Sequence, residues 1–200
     1  MIKIVENALP NQLFESLKQR VTNFSTMPWM FCETSAYPDD TTSEIEGHYT
    51  NKDFSWAHMA IGNGEWVSPL AELCYNSLLV AADKIPMNVH YLDRARFGMH
   101  TSQETPIINP AHVDKLEDHW AALLYINDSD GDTIFYDAYY EEGTDIIEYW
   151  KTNKDSWKVE KRITPKANTM VFFNGLQFHS SSPPTKSTYR IALNYNFYVA

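Results

Sequence analysis

The feature that most constrains this chain is a change of hydrophobic period near residue 88. Before it, apolar residues recur every three or four positions; after it, they alternate with polar ones. The first period builds helices, and the second builds strands buried on one face. Leu9, Leu13, Leu17, Val21 and Phe24, with Pro10 where its missing donor costs nothing, predict a helix over residues 10–24. Ser68 as cap and Pro69 in the first turn, followed by Leu70, Leu73, Ser77 and Val80, predict a second helix over 69–84, ended by Pro86. Residues 33–58, rich in Asp, Thr, Ser, Glu and Gly, read as a long surface loop.

Beyond residue 88 the strand signals follow one another. Val89, Tyr91, Asp93, Ala95 and Phe97 share one face of the first. Trp120–Asn127, Asp132–Tyr136, Trp157–Thr164, Thr169–Phe173 and Thr188–Val199 continue the series, separated by Asp-, Gly- and Asn-bearing corners. Helices first and about eight short strands afterwards imply an α+β chain, mainly β, with helices packed outside a sandwich or barrel. At 200 residues one domain is expected, with 1–87 as helical support and long loop and 88–200 as the β core.

Composition removes several classes. The net charge of −10 repels polyanions, so a nucleic-acid partner is not expected. No run approaches the roughly 18 apolar residues a membrane span needs, so no membrane partner is expected either. Cys32 and Cys74 read as reduced thiols in a cytoplasmic protein. An aromatic content of 14% suits strands and also suits a glycan-binding sandwich, which stays open as a non-catalytic alternative. His48, His58, His90, His100 and His119 read as surface or satisfied structural residues, and Trp120, Trp150 and Trp157 as packing residues. Asp137–Glu148 reads as a solvated acidic insertion, and Gly62-Asn63-Gly64 carries no chemistry.

Of the seven histidines only His112 has an acidic residue two positions later, Asp114, on the same side of an extended chain. His179 follows downstream, and Arg190 opens the last strand 11 residues after it. Two His and one carboxylate can hold iron(II) with three positions left open. Zinc hydrolase sites use the same donors, although their usual His-Glu-x-x-His helix motif is absent. On the last strand Arg190, Ala192, Asn194 and Asn196 share one face, opposite Ile191, Leu193, Tyr195 and Phe197. An arginine among small polar residues suits a ligand cavity.

These runs resemble the iron(II)/2-oxoglutarate-dependent dioxygenases, and among them the prolyl 4-hydroxylase-like group in its short bacterial and bacteriophage form. His112-Val113-Asp114 stands for the His-x-Asp motif, and Tyr125-Ile126-Asn127 for the tyrosine-bearing strand after it. Asp130-Gly131-Asp132-Thr133-Ile134-Phe135 resembles a Gly-Gly-x-Thr-x-Phe turn and strand, with Asp in place of the first Gly. Residues 165–173 resemble a Pro-x-x-Gly corner with Asn168 in place of Gly. His179-Ser180 and Tyr189-Arg190-Ile191-Ala192 complete the series over residues 88–199.

The resemblance implies a double-stranded β-helix, a cupin-like jelly-roll barrel with N-terminal helices on its major sheet. It implies His112, Asp114 and His179 as ligands of Fe(II), and Arg190, Tyr125 and Asn194 as contacts of the 2-oxoglutarate cosubstrate. It further implies O2-dependent hydroxylation of an aliphatic C–H, with the cosubstrate converted to succinate and carbon dioxide. The expected substrate is a prolyl or other residue in a peptide; a free amino acid or other small metabolite is the alternative. Thr34–Ser55 and Met99–Ala111 are expected to border the substrate entrance and to be mobile without ligand. Oligomeric state is left open.

Overall fold

The computed structural model describes residues 1–33 and 54–200. Among these, eight strands form one antiparallel sheet: β1 (Lys3–Val5), β2 (Met30–Cys32), β3 (Ser55–Gly62), β4 (Glu65–Trp66), β5 (Val89–Thr101), β6 (Trp120–Tyr125), β9 (Thr169–Asn174) and β11 (Tyr189–Val199). Their order is β1-β9-β6-β11-β5-β3-β2, with β4 folded back on β3. A second sheet of β10 (Gln177–Ser181), β7 (Thr133–Tyr139) and β8 (Val159–Ile163) faces it, in that order. The side chains between the sheets are Tyr125, Val171, Phe173 and Ala192 from the large one and Phe135 and Ile163 from the small one.

Period-2 alternation sorts each central strand between two cores. Along β11, Ile191, Leu193, Tyr195 and Phe197 point out toward helices α1 (Asn11–Val21) and α2 (Ala71–Ala82), and Ala192 points into the barrel. Along β6, Ala122 and Leu124 face the helices while Ala121, Leu123 and Tyr125 face inward. Leu17 from α1 and Leu78 from α2 are fully buried on that outer face. The Tyr195 hydroxyl crosses this interface to donate to the Cys74 carbonyl at 3.0 Å, which satisfies an otherwise stranded phenol.

Several expectations are corrected. The loop read over 33–58 ends in strand: Ser55–His58 begin β3, and residues 34–53, His48 among them, lie outside the described residues. Ser68 does not cap α2, whose first residue is Ala71 and whose N-cap is Leu70; the Ser68 hydroxyl accepts from Leu70 N at 3.2 Å, in the turn just before the helix. The face read from Val89 to Phe97 is interrupted by a register shift against β11, so Leu92, Ala95 and Phe97 all face the helix-side core. The acidic stretch 137–148 is not a plain solvated insertion. Its first residues extend β7, and Asp145 caps helix α3 (Ile146–Asn153) by accepting from Ile147 N and Glu148 N. Trp150 on that helix is buried, and Trp157 lies 4.3 Å from Phe178, both packing as read. Gly62-Asn63-Gly64 is the β3–β4 turn, with Asn63 and Gly64 at positive φ.

Two departures from the resembled motifs, Asn168 and Asp130, have structural reasons. Asn168 sits at φ 60°, where Asn is among the few residues tolerated. Its side chain does what Gly could not: Oδ1 accepts from Leu9 N and Nδ2 donates to Leu9 O, each at 2.9 Å, fastening the N-terminal segment to the barrel. Asp130 gathers the backbone N–H groups of Thr185, Lys186 and Ser187, so its carboxylate organises the turn leading into β11.

Candidate active site

His112 and His179 are joined by backbone hydrogen bonds in both directions, His112 N to His179 O at 2.8 Å and the reverse at 2.9 Å. An antiparallel pair of this kind projects both side chains to one side. Their rings are 4.6 Å apart. Each ring has one nitrogen settled by a carbonyl two residues back, His112 Nδ1 on Pro110 O at 3.1 Å and His179 Nδ1 on Gln177 O at 3.0 Å. A carbonyl can only accept, so Nδ1 carries the proton and Nε2 presents its lone pair to the site. Burial lowers both imidazole pKa values, that of His112 to about 4 with His179 adding to the effect, so both rings are neutral donors at neutral pH.

Asp114 completes the group, and one ligand atom from each of the three residues lies within 4.8 Å of the others. The Asp114 carboxylate is fixed by three side chains. Oδ1 accepts from Arg94 Nη2 at 2.7 Å; Oδ2 accepts from Asn194 Nδ2 at 2.8 Å and Asn196 Nδ2 at 3.1 Å. Burial opposes the charge, but the Arg94 guanidinium and the two imidazoles hold the carboxyl well below its usual range. Two neutral imidazoles and one ionised carboxylate, pre-oriented on one face, fit iron(II) with open positions for further ligands.

The barrel interior beyond this trio holds a second polar group. Arg190 is 4% exposed, and its Nη2 donates to Thr133 Oγ1 at 2.7 Å. The Tyr125 hydroxyl donates to the same oxygen at 2.8 Å, and the guanidinium lies 5.8 Å from the Tyr125 ring centre. Burial lowers the Arg190 pKa and raises that of Tyr125. Among the described residues no carboxylate lies within 4.0 Å of Arg190, and its Nε has no partner.

The structure thus brings five of the six residues singled out in sequence into two adjoining clusters, one of His112, Asp114 and His179 and one of Arg190 and Tyr125. The sixth, Asn194, adjoins the first cluster through Asp114. The sequence reading missed Arg94, Arg96 and His100; it named Thr133 in a motif and Asn196 on the cavity face of the last strand, but gave neither a role in the site. Arg96 and His100 lie on the cleft-facing side of β5 beside Gly98. His100, read as bland, is buried with Nε2 3.2 Å from Ser181 Oγ. His119 is structural as read, but it accepts from Asn196 Nδ2 at 3.2 Å and so touches the Asp114 network. His58 is satisfied by Pro28 O and Ser68 Oγ, and His90 is exposed.

Residues 87–198, more than half of the chain, match the sequence profile of the 2OG-Fe(II) oxygenase superfamily. The chain belongs to this family. It is therefore an enzyme, a 2-oxoglutarate-dependent oxygenase that works with iron(II), and the glycan-binding alternative is set aside. Among solved structures it is similar to the α-ketoglutarate-dependent carbocyclase SnoK from nogalamycin biosynthesis, with TM-score 0.65, 11% identity and coverage of 98% of this chain and 78% of that one. A prolyl-4-hydroxylase from Pseudomonas putida gives TM-score 0.54 at 13% identity, covering 98% and 91%. A prolyl hydroxylase from Trichoplax adhaerens, solved with a hypoxia inducible factor peptide fragment, gives 0.58 at 13%, covering 98% and 83%. At these identities the likeness is one of fold, the double-stranded β-helix expected from the sequence. No curated protein matches the chain.

Proposed function

We propose that this oxygenase hydroxylates an aliphatic C–H of a prolyl or other residue in a peptide, with a free amino acid or small metabolite as the alternative substrate. His112, Asp114 and His179 hold the iron(II), and Arg190 receives the far carboxylate of 2-oxoglutarate. The observation that carries this reading is the buried Arg190 with no carboxylate beside it among the described residues, in the same barrel as the ligand trio. A buried guanidinium without an anion is unfavourable, and a dicarboxylate chelating the metal at one end supplies the anion at the other. Thr133, Tyr125 and Arg190 form one hydrogen-bonded group that sets the direction of this contact. Asn194, expected as a cosubstrate contact, donates to Asp114 and so steadies that carboxylate.

When bound, iron(II) and 2-oxoglutarate supply the activation of O2 and the oxidation of the C–H bond. The chain supplies placement. The Nδ1 bonds keep each imidazole turned to the metal position, and Arg94, Asn194 and Asn196 keep Asp114 from rotating away. Leu123, Phe135, Phe173 and Ala192 line the barrel and keep bulk water from the cosubstrate. The free thiols of Cys32 and Cys74 suit a reducing cytoplasm, where iron(II) also persists.

The test is iron-dependent conversion of 2-oxoglutarate to succinate, with mass spectrometry for products heavier by one oxygen. His179→Ala should abolish both. Succinate formation that survives in that variant, or in wild type stripped of iron, would overturn the reading.

A further inference from the structure

The cleft holds a second guanidinium with no carboxylate beside it among the described residues. Arg96 stands opposite Asn194 on β11, and Asn194 is the residue whose amide holds Asp114. Among the described residues, the one hydrogen bond of the Arg96 guanidinium goes to the thiol of Cys32, at 3.7 Å, and no carboxylate lies within 4.0 Å of it. A thiol is a weak, neutral acceptor and does not answer a charge of this kind. Two residues on, along the same face, a methyl group placed on Gly98 would meet no atom of the described residues within 4 Å. The residue opposite Gly98 on β11 is Ala192, and on β3 it is Ala57. Open space with a floor of small residues therefore adjoins Arg96, in the cleft that also contains His112, Asp114 and His179.

The two arginines are not equivalent. Arg190 is 4% exposed and sits at the inner end with Thr133 and Tyr125; Arg96 is half-buried and reaches the edge strand β2 through Cys32. A cosubstrate anchored on Arg190 leaves Arg96 on the side from which a substrate arrives. We propose that Arg96 and the space beside Gly98 form a subsite for a carboxylate of the substrate, a few bonds from the carbon that is oxidised. This rests on the oxygenase reading above. Arg96 offers that carboxylate a two-pronged donor set, which fixes orientation as well as affinity. The carboxylate comes either from a free amino acid or chain terminus, or from an acidic side chain within a peptide.

The experiment compares matched probes on wild-type enzyme with iron(II), 2-oxoglutarate and O2. The probes are the twenty free L-amino acids, their N-acetyl amides, and capped Pro-containing peptides carrying Asp or Glu, or Asn or Gln, next to Pro. Succinate above the substrate-free level, with a product heavier by one oxygen, is the readout. A carboxylate probe should be turned over, and amidation of that probe should lower its kcat/KM at least tenfold, about 1.4 kcal/mol. Arg96→Gln should bring the acid-to-amide ratio close to one, and Arg96→Lys should keep part of it. Stimulation by free acids or by capped acidic peptides tells the two sources apart. The subsite is overturned if amides serve as well as acids or no carboxylate probe is turned over. It is equally overturned if the ratio survives in Arg96→Gln protein whose melting temperature and Co(II) uptake match wild type. Wild-type enzyme that makes no succinate under any condition overturns the oxygenase reading itself, and the subsite falls with it.

Discussion

Arg94 and Asp114 form an ion pair of 2.7 Å inside the barrel, so the carboxylate of the ligand trio is compensated by a cation before any metal arrives. On the proposed ligation by Asp114, metal and guanidinium would act on the same charge from two sides. In metal-free protein, Arg94→Met leaves Asp114 with the two asparagine amides as its hydrogen-bond donors and the nearby imidazoles, but without the guanidinium. Breaking a fully buried pair costs about 3–5 kcal/mol, and the Arg94 side chain is 23% exposed, so roughly 1–3 kcal/mol is expected. Adding Co(II) replaces the missing positive charge. Thermal melting should accordingly show a loss in the metal-free variant that narrows once Co(II) is present; a metal-free variant as stable as wild type would contradict this.

Arg190→Ala should raise the 2-oxoglutarate KM at least tenfold with little change in metal uptake, since a charge-assisted hydrogen bond is worth about 1.5–3 kcal/mol. Thr133→Val removes the oxygen shared by Arg190 and Tyr125 and frees both to swing. Its KM effect should fall between those of Tyr125→Phe and Arg190→Ala. Initial rates over a 2-oxoglutarate series decide the order, and an Arg190→Ala enzyme with unaltered dependence places the anchor elsewhere.

What was legible in the sequence follows from alternation. Arg190, Ala192 and Asn194 share a face because side chains on a strand repeat every two residues, and the same rule places Tyr125 with Ala121 and Leu123. What was not legible depends on pairing between distant strands. Arg94 lies opposite Asn196, about a hundred residues away, and no local pattern announces that register. The register shift in β5 also breaks the alternation on which a face assignment depends. Strand β3 was hidden because its buried residues include Ser55 and His58, which read as polar loop. Helix α3 was hidden because the partners of its apolar face, Trp157 and Phe178, are supplied from outside the acidic segment.

Gly175 has a packing role that the metal site inherits. A Cβ at this position would overlap the His119 ring, and His119 is the second acceptor of the Asn196 amide that holds Asp114. Gly175→Ala should displace His119 and loosen that chain of contacts. Metal affinity is expected to fall roughly tenfold, the low end for changes to groups that orient a metal ligand. Isothermal titration with Co(II) measures it; unchanged affinity would show that Asn196 holds Asp114 without His119.

Asp130 gives the protein an acid-sensitive turn. Desolvation opposes its charge, but the amides of Ser187 and Thr185, together with their hydroxyls, outweigh it and hold the carboxyl below the ordinary carboxylate range. A folded-state pKa below the unfolded one contributes stability that is complete above about pH 4, the unfolded value, and is lost as pH falls through the folded value. Wild type should therefore exceed Asp130→Asn in stability by a constant margin from pH 5 to 8, and the margin should shrink below about pH 4. The group is near the surface, so the margin belongs with capping interactions, about 0.5–2 kcal/mol. Urea melts at a series of pH values test it, and a margin that grows on acidification would reverse the assignment.

Asn168 separates two effects that usually travel together. At φ 60° a residue other than Gly or Asn is strained by about 1–2 kcal/mol, and the Asn168 side chain also makes both hydrogen bonds to the Leu9 backbone. Asn168→Gly keeps the backbone conformation and loses the two bonds, each worth about 0.5–1.5 kcal/mol. Asn168→Ala loses the bonds and adds the strain. Alanine should therefore destabilise more than glycine, although glycine is the residue that gains more chain entropy on unfolding. The larger loss in both variants should appear as faster hydrogen exchange at Ala8 and Leu9, whose amides bond Asn168 O and Oδ1. If glycine matches wild type in stability and exchange, the clamp on the N-terminal segment contributes nothing and only the backbone angle matters at this corner.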